Sequence, residues 1–281
     1  CSVKHKKTFD YIFNKTEAIT LEQSKLTLSK DITVLSFSDS SMVDRNSSII
    51  KVDSGWIVYS KNSESSILSF TSDGQFSGYI GHRGNGPGEY TSVYDVVVNQ
   101  KSKVLEVLSD GGIFCYTFGG DFLDKKEVTY PAFSFAIDDR QNYWFYVGNN
   151  TTYGDAKMIC TDENIANVAY YLHQKSNMLP MVENNFGRNG EWLTFHESLN
   201  HDLYTIENGK LDLSYAMDFP NYKLPKKLHE LSGMEVIEEL QRSNYASIIN
   251  YLENHDYIFL NVLLNLSLIH ISEPTRLDVI S

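Results

Sequence analysis

Long hydrophobic runs, basic charge and cysteine are what this protein has least of. Its most apolar stretch, Tyr257 to Ile271, is interrupted by Asn261, Asn265, Ser267 and His270. It therefore falls short of the roughly 20 apolar residues that a membrane-spanning helix requires. Lys and Arg number 24 against 36 Asp and Glu, for a formal net charge of -12. That balance leaves no basic face for nucleic acid, and no nucleic-acid partner is expected. The three cysteines have no close spacing, so they make neither a zinc set nor a disulfide framework. Cys115 and Cys160 lie in alternating apolar runs and read as small core hydrophobes.

The motifs of common chemistries are missing too. No Asp-x-Asp-x-Asp-Gly loop for calcium is present, and no G-x-S-x-G turn frames a nucleophilic serine. His196-Glu197-Ser198-Leu199-Asn200-His201 resembles a zinc-protease motif, but its histidines are five apart rather than four and fall on a strand-turn segment. They cannot share a helical face. No catalytic residue, metal ligand or cofactor is assigned.

Proline is scarce, at six residues, yet one of them stands among four glycines in Ile80-Gly-His-Arg-Gly-Asn-Gly-Pro-Gly-Glu-Tyr90. A Walker loop would need Lys-Ser or Lys-Thr after its last glycine and a helix behind it. Here Glu89-Tyr90 follows, then the strand-like Val96-Val97-Val98, and a carboxylate at that place repels phosphate. The stretch reads as a shaped connector between sheets. Gly81, Gly84, Gly86 and Gly88 allow the turns, Pro87 fixes one φ, and Glu89 and Tyr90 close the segment.

What the sequence has in abundance is β-forming residues, with 18 Tyr and 15 Phe. An apolar strand, an acidic or glycine turn and a second apolar strand recur four times. The first apolar residues after each turn are Phe76, Phe122, Ile165 and Leu211, separated by 46, 43 and 46 residues. That spacing is one propeller blade of four antiparallel strands, and the segments between fill with candidates. The pattern predicts strands at 49–52, 56–59, 67–70 and 76–80, then 95–98, 104–108, 113–118 and 122–128. A third set falls at 133–137, 143–147, 157–160 and 165–172, and a fourth at 191–195, 202–206 and 211–219, with its first strand unassigned. Apolar residues at helical spacing between Pro225 and Asn244 predict one inserted helix over 226–242. Strands resume at 246–251 and 257–264.

Phe70-Thr-Ser-Asp-Gly-Gln-Phe76, the glycine connector and Asp95-Val-Val-Val98 together resemble the NHL-like repeat of TolB-like, six-bladed β-propeller lipoproteins of Bacteroidales-type bacteria. The resemblance runs over about residues 17 to 264. It implies an all-β fold, an extracytoplasmic place at the cell envelope, and no established enzymatic activity. The first residue, Cys1, followed by the polar and basic Ser2 to Thr8, reads as a lipid-attachment site and tether. The expected divisions are a tether over 1–16, an incomplete propeller of about four and a half blades over 17–264, and a non-native tail over 265–281. That tail resembles translated sequencing-adapter read-through, which would leave the protein truncated at its C-terminal end; a short strand at 267–271 is the alternative. N-terminal segments at 19–21 and 26–28 are candidates for closing a ring.

The function expected from these features is a non-catalytic binder of a protein, peptide or glycan, held at the membrane by its N-terminal lipid. His82, Arg83 and Arg188 are candidates for the binding face. The alternative is a propeller enzyme of the lyase or lactonase type with a metal in the central pore.

Overall fold

The structure is a computed structural model and describes residues 9–12, 32–36, 43, 47–61, 65–148, 154–173, 184–265 and 267–274, the segments 9–12 and 267–274 by their backbone alone. Cys1, the closing-strand candidates at 19–21 and 26–28, and residues 275–281 lie outside the described residues. The protein forms two compact units, one from residues 20–137 with 163–167, the other from 1–19, 138–162 and 168–281.

A first strand, β1 (Phe9–Ile12), lies within the segment read as a tether. The first sheet then runs β2 (Ser48–Val52), β3 (Gly55–Tyr59), β4 (Ile67–Thr71) and β5 (Phe76–Ile80), each antiparallel to the next. The connector carries two short strands, β6 (His82–Arg83) and β7 (Glu89–Tyr90), paired parallel. The second sheet follows with β8 (Asp95–Asn99), β9 (Val104–Ser109), β10 (Gly112–Tyr116) and β11 (Phe122–Lys126). Its strands are rich in β-branched and aromatic residues, and β10 is buried along its whole length while β11 is exposed. Ile57, Ile67, Ile80, Leu105 and Val107 are fully buried in one cluster between the two sheets. Each such aliphatic residue adds about 1.5–3 kcal/mol on leaving water.

The third sheet is β12 (Ser134–Ile137), β13 (Tyr143–Tyr146), β14 (Ala156–Thr161) and β15 (Ala169–His173). Its last strand begins four residues later than the sequence pattern predicts. Ile165 and Asn167 both take positive φ, 58° and 51°, so the backbone turns there instead of extending. The fourth sheet is β16 (Phe186–Asn189), β17 (Trp192–His196), β18 (Asp202–Glu207) and β19 (Lys210–Asp218), with β1 added parallel to the outer edge of β19. Its first strand had no sequence assignment, because the alternation of Phe186–Asn189 is only four residues long and ends at Gly190.

The inserted helix is two pieces. A 3₁₀ turn occupies Lys226–Glu230, and α1 covers Met234–Gln241. Gly233, at φ 54°, separates them, since a left-handed residue cannot continue a right-handed helix. Val236 and Leu240 of α1 pack with Leu199, Leu228 and Tyr245. The last sheet holds β20 (Ala246–Glu253), β21 (Tyr257–Leu264) and β22 (Ser267–Pro274). The backbone over 267–274, where no blade cadence was read, thus pairs antiparallel with β21 along its whole length. Four-stranded antiparallel sheets in sequence, each starting anew with its own first strand, define the fold class: an all-β propeller.

Candidate functional site

In an up-and-down sheet, the connector from a fourth strand to the next first strand lies at the same end as the turn between second and third strands. The glycine connector and the Asp110–Gly111 turn share that end in one unit. In the other unit the 197–201 turn shares it with α1.

The connector is shaped from beneath. Gly81 takes φ 61°, and a Cβ there would lie 2.6 Å from the Tyr116 ring; Gly88 takes φ 74°, and its Cβ would lie 2.5 Å from the Phe122 ring. Tyr116 donates its hydroxyl proton to the Gly88 carbonyl at 2.9 Å. Tyr90, buried, donates to the Ile80 carbonyl at 3.1 Å and accepts from the Ile67 N–H at 3.2 Å. Glu89 Oε2 accepts the Gly86 N–H at 2.7 Å, and its carboxylate fills the space where Cβ atoms on Gly84 and Gly86 would stand. Gly81→Ala combines a strained φ with a ring clash. It is expected to lose about 1–3 kcal/mol of stability, read from the urea midpoint.

On the outer side, His82 and Arg83 are exposed. The Arg83 Nε donates to the Thr91 carbonyl at 3.0 Å, and the Thr91 hydroxyl donates to Asp110 Oδ2 at 2.6 Å. Tyr94 donates to the other Asp110 oxygen. The Thr91 bond first, then the Tyr94 bond, hold the Asp110 carboxyl below the ordinary range.

In the second unit, the turn after β17 carries a buried polar cluster. Glu197 Oε1 accepts the Tyr146 hydroxyl at 2.9 Å and Lys157 Nζ at 3.1 Å. Its Oε2 accepts Lys157 Nζ at 3.2 Å and Asn200 Nδ2 at 3.1 Å. The Lys157 and Glu197 side chains are 4% and 6% exposed, so water screens neither. His196 beside them is fully buried, and neither ring nitrogen reaches a hydrogen-bond partner among the described residues. Burial pushes its pKa down to about 4. His201 instead donates Nε2–H to the Ala246 carbonyl at 3.0 Å and rests edge-on against Phe219. Among the described residues no group of three metal-ligating residues converges.

Of the sequence candidates, His82 and Arg83 stand together on the connector in one unit. Arg188 belongs to the other unit and sits within β16, opposite Leu193. Burial pushes the Arg188 pKa down, and the charges of Asp138 and Asp139 oppose that shift. The Lys157, Tyr146 and Asn200 partners of Glu197 are not evident from the sequence. The available signals were a lysine opening the apolar run Met158-Ile159-Cys160 and a glutamate directly after a buried strand.

Sheets of this kind and their shaped connectors define a β-propeller protein. It belongs to the family described as a domain of unknown function, DUF4934, whose pattern it matches over residues 7–273. No curated protein matches it. Among solved structures, it is similar to a Bacteroides fragilis protein for which export has been proposed, at 15% identity and a TM-score of 0.71. That match covers 86% of this protein and 74% of the other. A Bacteroides vulgatus member of another family of this sort, DUF4221, matches at 10% identity and a TM-score of 0.47, over 83% and 84% of the two proteins.

Proposed function

We propose that this is an extracytoplasmic, lipid-anchored β-propeller that binds a protein, peptide or glycan ligand without transforming it. Its blades are those of a six-bladed, NHL-like ring, and Cys1 carries the lipid that holds it at the cell envelope. The observation that carries the binding role is the connector at 81–90. Its underside is fixed by Glu89, Tyr90 and Tyr116, while His82 and Arg83 are presented on the exposed side. A rigid loop that displays polar side chains loses little entropy on binding. The location is supported by the fold shared with a Bacteroides protein for which export has been proposed, and by the cysteine followed by a polar, basic segment.

The test uses the full-length protein with Cys1→Ser, screened against arrayed glycans and peptides from envelope proteins. A ligand found this way should bind at least about 10-fold more weakly to the His82→Ala/Arg83→Ala variant, a loss of about 1.4 kcal/mol, at an unchanged melting temperature. Equal affinity in the variant overturns the assignment of the face. Anchoring is read separately by metabolic labelling with an alkyne fatty acid. Label on the wild type and none on Cys1→Ser supports the lipid site, and no label on either refutes it.

A further inference from the structure

We propose that Lys157 and Asn200 become joined by an intramolecular isopeptide bond, which the protein forms on itself with Glu197 as the proton carrier. Such a bond needs an amine held out of water, a primary amide within reach, and a carboxylate touching both. Lys157 Nζ and Asn200 Nδ2 both donate to the same oxygen, Glu197 Oε2, at 3.2 and 3.1 Å. Water is excluded from the lysine and the glutamate, and the Tyr146 hydroxyl fixes the carboxylate from its other oxygen. The electrophile is prepared as well. Asn200 Oδ1 accepts the Asp202 N–H at 3.1 Å, which places a backbone donor on the oxygen where negative charge develops.

The step balances without an oxidant or co-reactant. Glu197 takes a proton from the Lys157 ammonium, and the freed amine attacks Cγ of Asn200, forming the Nζ–Cγ bond. The charge that gathers on Oδ1 faces the Asp202 N–H. The Cγ–Nδ2 bond then breaks as Glu197 hands Nδ2 the proton it took from the ammonium, and ammonia departs. The second proton, shed by Nζ as it becomes an amide nitrogen, returns to Glu197 and from there to the ammonia. An ammonium and a primary amide become a secondary amide and an ammonium ion. The bond ties β14 of the third sheet to the turn after β17 in the fourth, within one unit.

Intact-mass spectrometry of the purified protein carrying Cys1→Ser, which takes no lipid, reads the result directly. In that background the otherwise wild-type protein should be about 17 Da lighter than its sequence mass, the mass of one ammonia, and its digest should contain a branched peptide joining Lys157 to Asn200. Glu197→Gln and Asn200→Ala should each keep the full mass. The proposal is overturned by a wild type of full mass, by the same mass loss with no branched peptide, or by a loss of about 18 Da from a Lys157–Glu197 bond. It is equally overturned by an undiminished cross-link in Glu197→Gln.

Discussion

Lys157→Met is expected to remove about 3–5 kcal/mol of stability, because it leaves Glu197 as a buried carboxylate with no partner at residue 157. The Tyr146 and Asn200 donors remain, but neither carries charge. Methionine fills a similar volume, so the cavity contribution is small. The double variant Lys157→Met/Glu197→Leu separates the causes. Removing both side chains recovers the part due to the stranded anion, and any stability still missing measures what the covalent bridge supplies. Urea denaturation of the three proteins at pH 7 gives these numbers, and a single variant within about 1 kcal/mol of wild type would show that the pair is replaceable.

Much of this architecture can be read from the residues alone. Strands such as Phe76–Ile80, Asp95–Asn99 and Tyr257–Leu264 fall within a residue of their expected bounds, because apolar alternation and glycine or acidic turns coincide there. The misses have local causes. Positive φ at Ile165 delayed β15, and Gly233 split a helix whose hydrophobic spacing looked continuous. The buried cluster was less legible for a different reason. Lys157 and Glu197 are 40 residues apart, and a charge on a strand reads as solvent-facing until the neighbouring sheet is in place. The connector shows the converse. Its glycines announced a shaped turn, but Tyr116 and Phe122, the rings that forbid a Cβ at Gly81 and Gly88, come from the following sheet. Period and pattern specify strands, whereas pairings between sheets depend on contacts that no local window holds.

His196 supplies the second large expectation: the protein should lose about 3 kcal/mol of stability between pH 7 and pH 4 through this residue. Its folded pKa lies at about 4, and desolvation is the main cause. The carbonyls of Ile249 and Asn185 favour the charged ring, yet neither meets it in hydrogen-bonding geometry. The sign follows from proton counting. Between about pH 6.5 and pH 4 the unfolded protein holds a proton on this ring and the native protein does not, so stability falls as pH falls through that window. Below about pH 4 both forms are protonated and this contribution levels off. His201, also pushed down by burial, adds in the same direction, while Asp202, whose carboxyl burial pushes up, opposes it. The informative quantity is therefore the difference between wild type and His196→Leu, measured as free energy of unfolding at half-unit steps from about pH 7.5 to pH 4. A difference that grows in favour of the leucine variant as pH falls identifies the imidazole as the acid-sensitive group. A constant difference would mean that the ring finds a partner or water in solution and takes its proton without opening the fourth sheet.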